Sequence, residues 1–391
     1  MMGSCPIIVG MTHLVISGGK VVTQDGVLDP GWLEVENGTI TALGSGSPEQ
    51  SGAAVTDVAG AWIVPGFVDI HCHGGGGEAF TDTDPLRVGT AVEAHRRYGT
   101  TTMLASLVSR PVPELVNQVA ALAEMVQEGL LAGIHLEGPF LSAARCGAHD
   151  PAILCPPEPQ SIRKLLAAGQ GAVSMVTIAP ELEGAVYAVS SLVDSGVIAA
   201  IGHTDATEAS VLPAIDAGAT VATHLFNGMR PLHHREPGPI GVLLDDPRIT
   251  VELIVDLVHV HPTVVRLAAR HAGPGRTVLI TDAIAAAGVG DGVYDVGGLE
   301  VTVNDGVPRI AGGGSLAGST LTMDAAFRNL VHNCGLTIRE AVTATATRPA
   351  AVLGLAEETG ALSVGLAADL VVLDSDLRPT AVLARGEWVK G

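Results

Sequence analysis

Lysine is the scarcest charged residue of this 391-residue chain, which contains only Lys20, Lys164 and Lys390. Lysine and arginine together number 21 against 41 aspartates and glutamates, so the formal net charge is −20. Nucleic acids and anionic membrane surfaces attract positive protein surfaces, and we therefore expect neither as a partner. An anionic ligand would have to be held by a local group of positive side chains.

Cysteines and long apolar runs are also in short supply. The five cysteines are odd in number and none belongs to a Cys-x-x-Cys pair, a pattern that favours reduced thiols in a cytoplasmic protein. No apolar run reaches the roughly 18 residues that a membrane-spanning helix needs. The N-terminus has neither a basic region before an apolar one nor a cleavage-site pattern, so we expect no signal peptide.

Both ends of the chain contain short β runs separated by polar turns. These runs are Leu14–Val22, the two runs around the hairpin signal Asn37-Gly38 within Trp32–Leu43, Val55–Val64, Leu370–Leu373 and Ala381–Val389. An Asn-Gly pair between β-rich runs is typical of a tight hairpin. We predict that residues 1–65 and 357–391 together form one small β-sandwich domain.

Residues 66–356 instead alternate apolar strands with helices, which is the pattern of βα units around a parallel sheet. The eight predicted strands are Phe67–His71, Thr101–Leu107, Gly133–Glu137, Ser174–Ile178, Val197–His203, Thr220–His224, Val251–Val258 and Val278–Thr281. The predicted helices are Val88–Tyr98, Pro113–Gly129, Ile162–Ala168, Ala185–Ser195, Ala206–Ala217, Pro262–Ala272, Leu321–Asn333 and Thr337–Ala346. An insertion near 288–314 is predicted to be a hairpin turning at Asp305-Gly306. The chain is therefore predicted to be an α/β protein, a TIM-like (β/α)8 barrel whose chemistry lies at the carboxyl ends of its strands.

Histidines and carboxylates stand at five of these strand ends. The first strand ends in His71-Cys72-His73, and side chains two residues apart along a strand share a face. The later strand ends contribute Glu137, His203, His224 and Asp282. Because these ends meet at one rim, we expect the side chains to converge, and neutral imidazole and carboxylate groups suit zinc, iron or manganese. The pattern indicates a divalent-metal site.

At these residues the chain resembles the N-acetylglucosamine-6-phosphate deacetylases, a family of the amidohydrolase superfamily. The matching stretches are Pro65–Gly74, His135–Phe140, Gly202–Thr204, Ala222–Met229, Arg235–Gly238, Asp256–Val260, Thr281–Ala283, Leu316–Ser319 and Gly365–Asp374. The resemblance implies an enzyme that hydrolyses N-acetylglucosamine 6-phosphate to glucosamine 6-phosphate and acetate, in amino-sugar catabolism and cell-wall recycling. It also implies one or two divalent metals per subunit, with zinc favoured and iron, manganese and cobalt as alternatives.

The resemblance assigns roles to particular residues. Glu137, His203 and His224 would hold one metal, and His71, His73 and Asp282, with Glu137 as a further ligand, would hold a second. Asp282 would move the proton of the attacking water to the leaving nitrogen, and His149 would polarise the acetyl carbonyl. The implied substrate-binding residues are Asn227, Gly228, Arg235, His259, His149, Leu316, Ala317 and Gly318. In the family this arginine reaches the neighbouring subunit's site, which implies a homodimer.

Three other interpretations remain open from the sequence. An N-acetylgalactosamine-6-phosphate deacetylase would differ only in how it recognises one sugar hydroxyl. Cyclic-amide hydrolases usually need a bridging lysine at a strand end, and none of the three lysines is predicted at one; Glu137 would have to bridge instead. A non-catalytic scaffold would be expected to lose metal ligands, and the whole set is present here.

Cys146, between Glu137 and His149, is either a redox-sensitive thiol or a small loop residue.

Overall fold

The computed structural model describes residues 13–48, 52–312 and 314–390. Its strands are β1 (His13–Val22), β2 (Val27–Glu36), β3 (Thr39–Ser45), β4 (Ala54–Asp57), β5 (Trp62–Pro65), β6 (Phe67–Asp69), β7 (Gly74–Gly75), β8 (Glu78–Ala79), β9 (Thr100–Val108), β10 (Gly133–Glu137), β11 (Val173–Ile178), β12 (Ile198–Ile201), β13 (Val221–Ala222), β14 (Thr250–Ile254), β15 (Thr277–Ile280), β16 (Gly292–Val296), β17 (Leu299–Asn304), β18 (Val307–Ile310), β19 (Leu370–Leu373), β20 (Pro379–Ala384) and β21 (Glu387–Trp388). The helices are α1 (Pro85–Arg96), α2 (Val112–Gln127), α3 (Pro159–Gly169), α4 (Ala185–Asp194), α5 (Glu208–Asp216), α6 (Gly238–Asp245), α7 (Pro262–Ala272), α8 (Met323–His332), α9 (Ile338–Val342) and α10 (Arg348–Val352), with a 3-10 turn at Ala143–Arg145 and a π turn at Thr343–Thr347.

The predicted (β/α)8 barrel is confirmed. Eight parallel strands follow one another in the order β6-β9-β10-β11-β12-β13-β14-β15. All five residues of β10 are buried, as expected for a strand that is covered on one side by helices and on the other by the barrel interior. The covering helices are amphipathic: α7 buries Val265, Ala268, Ala269 and Ala272, which lie on one face at the spacing of helical turns.

The first and last barrel strands are joined by side-chain and backbone bonds near their carboxyl ends. The Asp69 carboxylate accepts hydrogen bonds from the Thr281 hydroxyl at 2.5 Å and from the Thr281 N–H at 3.3 Å. The Asp282 N–H donates to the His71 carbonyl at 2.9 Å. Because Asp69 is fully buried, the two bonds from Thr281 satisfy a carboxylate that would otherwise be costly to bury. They hold the end of β15 beside the end of β6, where the site residues lie.

The β runs from the two ends of the chain pair in one eight-stranded sheet. Its order is β21-β20-β19-β5-β1-β2-β3, with β4 added beside β1. The β2–β3 hairpin turns at Asn37 and Gly38, which both have positive φ, 51° and 79°, as a tight hairpin requires. A separate apolar cluster that includes Ile16, Leu33 and Leu370 supports this sheet. The domain limits at residues 65 and 357 remain a prediction, and residues 1–12 lie outside the described part of the chain.

Three local predictions differ from the structure. Val55–Val64 was expected to be one strand, but Gly60 has a φ of 81° and the turn around it separates β4 from β5. The insertion near 288–314 contains three antiparallel strands, β16, β17 and β18, with the predicted Asp305-Gly306 turn joining the last two. Helix α6 was not predicted, because it spans only eight residues and opens with Gly238-Pro239.

None of the helices in the described ranges combines the length and the apolar character that a membrane-spanning segment requires.

Candidate metal centre and active site

The carboxyl ends of five barrel strands place histidines and carboxylates around one pocket. His203, His224 and Asp282 each stand two positions after the last residue of β12, β13 and β15. All three have left-handed backbones, with φ of 46°, 29° and 49°. Non-glycine residues rarely adopt this conformation and cluster in it at functional sites. The chain therefore bends sharply at these three strand ends, and the bends set the directions of the side chains.

The Glu137 carboxylate lies at the centre of this group. Its Oε1 is 2.9 Å from His224 Nε2, 3.0 Å from His203 Nε2 and 3.6 Å from His71 Nε2. Its Oε2 is 3.2 Å from His73 Nε2 and 3.4 Å from His149 Nε2. Two oxygens of one carboxylate thus face the Nε2 atoms of five histidines.

The other ligand candidates fall into two sets on either side of Glu137. His203 Nε2 and His224 Nε2 are 3.1 Å apart, and His71 Nε2 and His73 Nε2 are 3.2 Å apart. Asp282 Oδ1 joins the second set, at 3.2 Å from His73 Nε2 and 3.5 Å from His71 Nε2. The structure therefore brings together all six residues for which a metal-binding role was predicted.

Hydrogen bonds to the Nδ1 atoms, which face away from Glu137, indicate which ring nitrogen carries the proton. His73 Nδ1 lies 3.1 Å from the Ser106 carbonyl, and His203 Nδ1 lies 2.8 Å from the Arg145 carbonyl. A carbonyl oxygen only accepts hydrogen bonds, so each Nδ1 is the donor, and in the neutral ring each Nε2 has a lone pair for a metal. His71 is arranged in the same way, with Nδ1 3.2 Å from Glu252 Oε2.

These lone pairs supply a test of whether the residues fit a metal. The Nε2 lone pairs of neighbouring histidines point into a common space and repel each other unless a cation or a proton lies between them. Imidazole nitrogens and carboxylate oxygens are the ligands that zinc and related divalent ions bind. The donor set fits a divalent-metal centre, with Glu137 positioned to contribute an oxygen to either set.

His149 has the opposite ring orientation. The Ser109 N–H donates to His149 Nδ1 at 3.2 Å, so the ring proton is on Nε2, the atom that faces Glu137. Burial lowers the pKa of His149 to about 4, although its hydrogen bond to Glu137 and the charge of that carboxylate act in the opposite direction. The ring is therefore neutral at pH 7 and presents an N–H donor, not a lone pair, to the pocket.

The two carboxylates of the site are held in their ionised forms. Burial alone would raise the pKa of Asp282, but the hydrogen bond from His73 and the nearby imidazole charges outweigh it and hold the pKa at about 2. Burial is likewise outweighed at Glu137, where the charge of His71 and hydrogen bonds from three further histidines hold the pKa well below its ordinary value. Asp282 can therefore act as a base at neutral pH.

The site opens into a cavity of about 410 Å³. Among the predicted substrate-binding residues, those that line it are Asn227, Gly228, His259, His149, Leu316 and Gly318. Ala317 does not line it and is fully buried in a small apolar cluster with Val108, Ile284 and Val296, which do. Arg235 is exposed on the loop before α6, and within the described residues the structure does not bring it to the wall of its own subunit's cavity. Cys146 also lines the cavity, and its role remains a prediction.

His259 adds a second basic side chain, besides Arg145, to the part of the cavity wall away from the metal-ligand candidates. Its Nδ1 lies 2.6 Å from Asp256 Oδ2. Burial lowers the pKa of His259, but the hydrogen bond and the charge of Asp256 more than reverse this and raise the pKa above its ordinary value. The ring therefore has a partner for one nitrogen and can present the other to an anion.

Sequence reasoning missed the residues that orient the histidines. Ser106, Ser109 and Arg145 act through backbone atoms, for which residue type gives no signal. Glu252 acts through its side chain and did leave a signal, since it is a single charged residue inside the apolar strand β14. His135, two residues before Glu137 on the same strand, is bonded to Ser106 Oγ and Thr177 Oγ1.

The amidohydrolase family profile matches residues 62–391, and the chain belongs to this family. An N-acetyl-D-glucosamine-6-phosphate deacetylase from Mycobacterium smegmatis, solved as a mutant in complex with N-acetyl-D-glucosamine-6-phosphate, superposes with a TM-score of 0.94 at 48% identity, covering 97% of this chain and 100% of the other. An N-acetylgalactosamine-6-phosphate deacetylase from Escherichia coli O157:H7 is 37% identical over 97% of this chain and 99% of its own. The N-acetylglucosamine-6-phosphate deacetylase of Bacillus subtilis (strain 168) is 34% identical over 95% and 96%.

Proposed function

We propose that this chain is a metal-dependent amide hydrolase that converts N-acetylglucosamine 6-phosphate and water to glucosamine 6-phosphate and acetate. One observation supports the proposal most directly. At the rim of the barrel the two carboxylate oxygens of Glu137 lie 2.9 to 3.6 Å from the Nε2 atoms of five histidines. The likeness to the deacetylases supports the choice of substrate. We further propose zinc as the metal and the cytoplasm as the compartment.

Two residues would carry the proton transfers of the reaction. A divalent cation held by Glu137 and the histidines would supply Lewis-acid activation of water and of the acetyl carbonyl. Ionised Asp282 would accept the proton of the attacking water and then deliver it to the departing nitrogen, so that the amine leaves neutral. The His149 Nε2–H would donate to the acetyl oxygen as that atom becomes negative.

The phosphate would be bound at the other end of the cavity by neutral and positive donors. Asn227 and Gly228 lie on the wall, and His259, whose pKa is raised by Asp256, offers the ring nitrogen that Asp256 does not bind. We propose that the planar guanidinium of Arg235, exposed on its own subunit, reaches the phosphate of the neighbouring subunit in a homodimer. A guanidinium suits phosphate because it donates two parallel hydrogen bonds.

Replacing Arg235 by alanine is expected to raise KM for N-acetylglucosamine 6-phosphate about 100-fold, since charge-assisted phosphate contacts contribute about 3 kcal/mol. KM for unphosphorylated N-acetylglucosamine should change less than about threefold, because that sugar offers the guanidinium nothing to bind. Steady-state kinetics on both sugars measure this. Arg309→Ala, an exposed arginine of the insertion, is the control, and an equal effect of Arg235→Ala on both sugars would contradict the phosphate role.

Acetate release from a panel of N-acetyl hexosamines tests the proposed activity. The panel contains N-acetylglucosamine 6-phosphate, N-acetylgalactosamine 6-phosphate and the two unphosphorylated sugars, with metal content measured on the same protein sample. We expect the highest kcat/KM with the gluco phosphate. The Escherichia coli relative makes N-acetylgalactosamine 6-phosphate the second candidate, and a higher kcat/KM with that sugar would favour it. Absence of acetate from every sugar in metal-loaded protein would reject the proposal.

A further inference from the structure

Glu252 is a fully buried carboxylate in the middle of the seventh barrel strand, β14. A buried carboxylate is strongly unfavourable unless donors or positive charges surround it. Its Oε2 has two donors, His71 Nδ1 at 3.2 Å and the His224 backbone N–H at 3.1 Å. Its Oε1 is buried without a hydrogen-bond partner among the described residues. The proton transfers and the phosphate contacts proposed above do not use this residue.

The two partners of Glu252 belong to different ligand sets. His71 belongs to the set with His73 and Asp282, and His224 belongs to the set with His203. The bond to His71 requires the proton on Nδ1, and this leaves the Nε2 lone pair directed at Glu137 and Asp282. The bond to the His224 N–H holds a residue whose backbone is left-handed, at a φ of 29°.

We propose that Glu252 is the positioning residue that orients His71 as a metal ligand, so that the affinity of the set His71, His73 and Asp282 for a divalent cation depends on it. A carboxylate bonded to a ligating histidine fixes the ring orientation and increases the basicity of the other nitrogen, and loss of such a partner weakens metal affinity about 10- to 100-fold. A cation on the Nε2 side of His71 also balances the negative charge buried at Glu252. The inference rests on the metal-dependent site of the proposed function and adds the residue on which its second cation depends.

Glu252→Gln tests this on the full-length chain. The variant is nearly isosteric, but its amide has no negative charge, so a carbonyl oxygen at the Oε2 position accepts the hydrogen bonds from His71 and from the His224 N–H more weakly. Metal-stripped protein is titrated with Zn²⁺ by calorimetry, and bound zinc is counted after desalting. We expect two equivalents in the unmodified chain. In Glu252→Gln the second equivalent should bind about 10- to 100-fold more weakly, with the first changed less than about threefold.

Two further variants separate positioning from general damage. Glu300→Gln removes one exposed carboxylate from the insertion and should bind both equivalents normally. His71→Asn should lose the second equivalent, and adding Glu252→Gln to it should change zinc binding no further, because Glu252 acts through His71. Normal binding of both equivalents in Glu252→Gln, or equal weakening of both, would overturn the proposal.

The protonation pattern of His71 provides a measurement that needs no Glu252 variant. A long-range ¹H–¹⁵N spectrum of the zinc-loaded protein, assigned with His71→Asn, should show a proton on Nδ1 and none on Nε2. A proton on Nε2 of His71 in protein with both zinc equivalents bound would overturn the proposal even if Glu252→Gln fails to fold. None of these readouts uses a sugar, so failure of the acetate panel with two zinc equivalents bound would reject the deacetylase activity alone.

Discussion

Asp282→Asn is expected to lower kcat about 10³-fold, within the range that a positioned acid–base group contributes. An asparagine amide cannot accept the proton of the attacking water and cannot return it to the nitrogen. The low pKa of Asp282, about 2, means that the unmodified residue is ionised over the whole working pH range. KM should change little, because the lost interaction forms only as the reaction proceeds.

Metal analysis must accompany these kinetics, because Asp282 Oδ1 also lies among the ligand candidates. We expect Asp282→Asn to keep at least the cation held by Glu137, His203 and His224. Asp25→Asn, which removes an exposed aspartate of the sheet from the chain ends, controls for the loss of one charge. A kcat within about threefold of the unmodified enzyme would exclude the proton-transfer role.

His149→Ala is expected to lower kcat about 10²- to 10³-fold, the usual effect of removing one donor to a developing oxyanion. His149→Gln should recover part of this loss, because its amide N–H can approach the position of the imidazole Nε2–H. Zinc content should stay unchanged in both variants, because neither ring nitrogen of His149 has a lone pair for a metal. Its Nδ1 accepts from the Ser109 N–H, and its Nε2 carries the proton. Kinetics and metal analysis together check this.

A different result would assign His149 to the metal. If His149→Ala lost a metal equivalent and added Zn²⁺ restored its activity, the ring would be a ligand and not a donor. His332→Gln, at an exposed position near the end of α8, is the matched control and should leave kcat and zinc content unchanged.

The sequence predicted the barrel because each strand is a short apolar run that ends in polar residues or glycine. Even β13, which spans only two residues, was found from the apolar residues before His224. Convergence of Glu137, His203 and Asp282 then followed from parallel strands sharing one rim. Helix α6 was missed because a glycine and a proline at its start resemble a loop.

The orientation of the site residues could not be predicted in the same way. His149 and His203 are identical side chains, and their opposite proton positions depend on one backbone N–H at Ser109 and one carbonyl at Arg145. Both atoms come from segments far away in sequence, and every residue type supplies them. Only Glu252 left a signal in the sequence, because it is a charged residue inside an apolar strand. Assigning it to His71 would have required knowing which strands lie beside His71 in the barrel.

The left-handed backbones at His203, His224 and Asp282 have a consequence for how this protein can change. Each is maintained against about 1–3 kcal/mol of local strain by the surrounding barrel. Glycine adopts such a backbone without penalty, so the substitutions that best relax the rim are the ones that delete its chemistry. Selection for thermal stability alone would therefore favour a barrel without catalytic activity. Stabilising substitutions should leave these three positions unchanged and be placed on the outer helices.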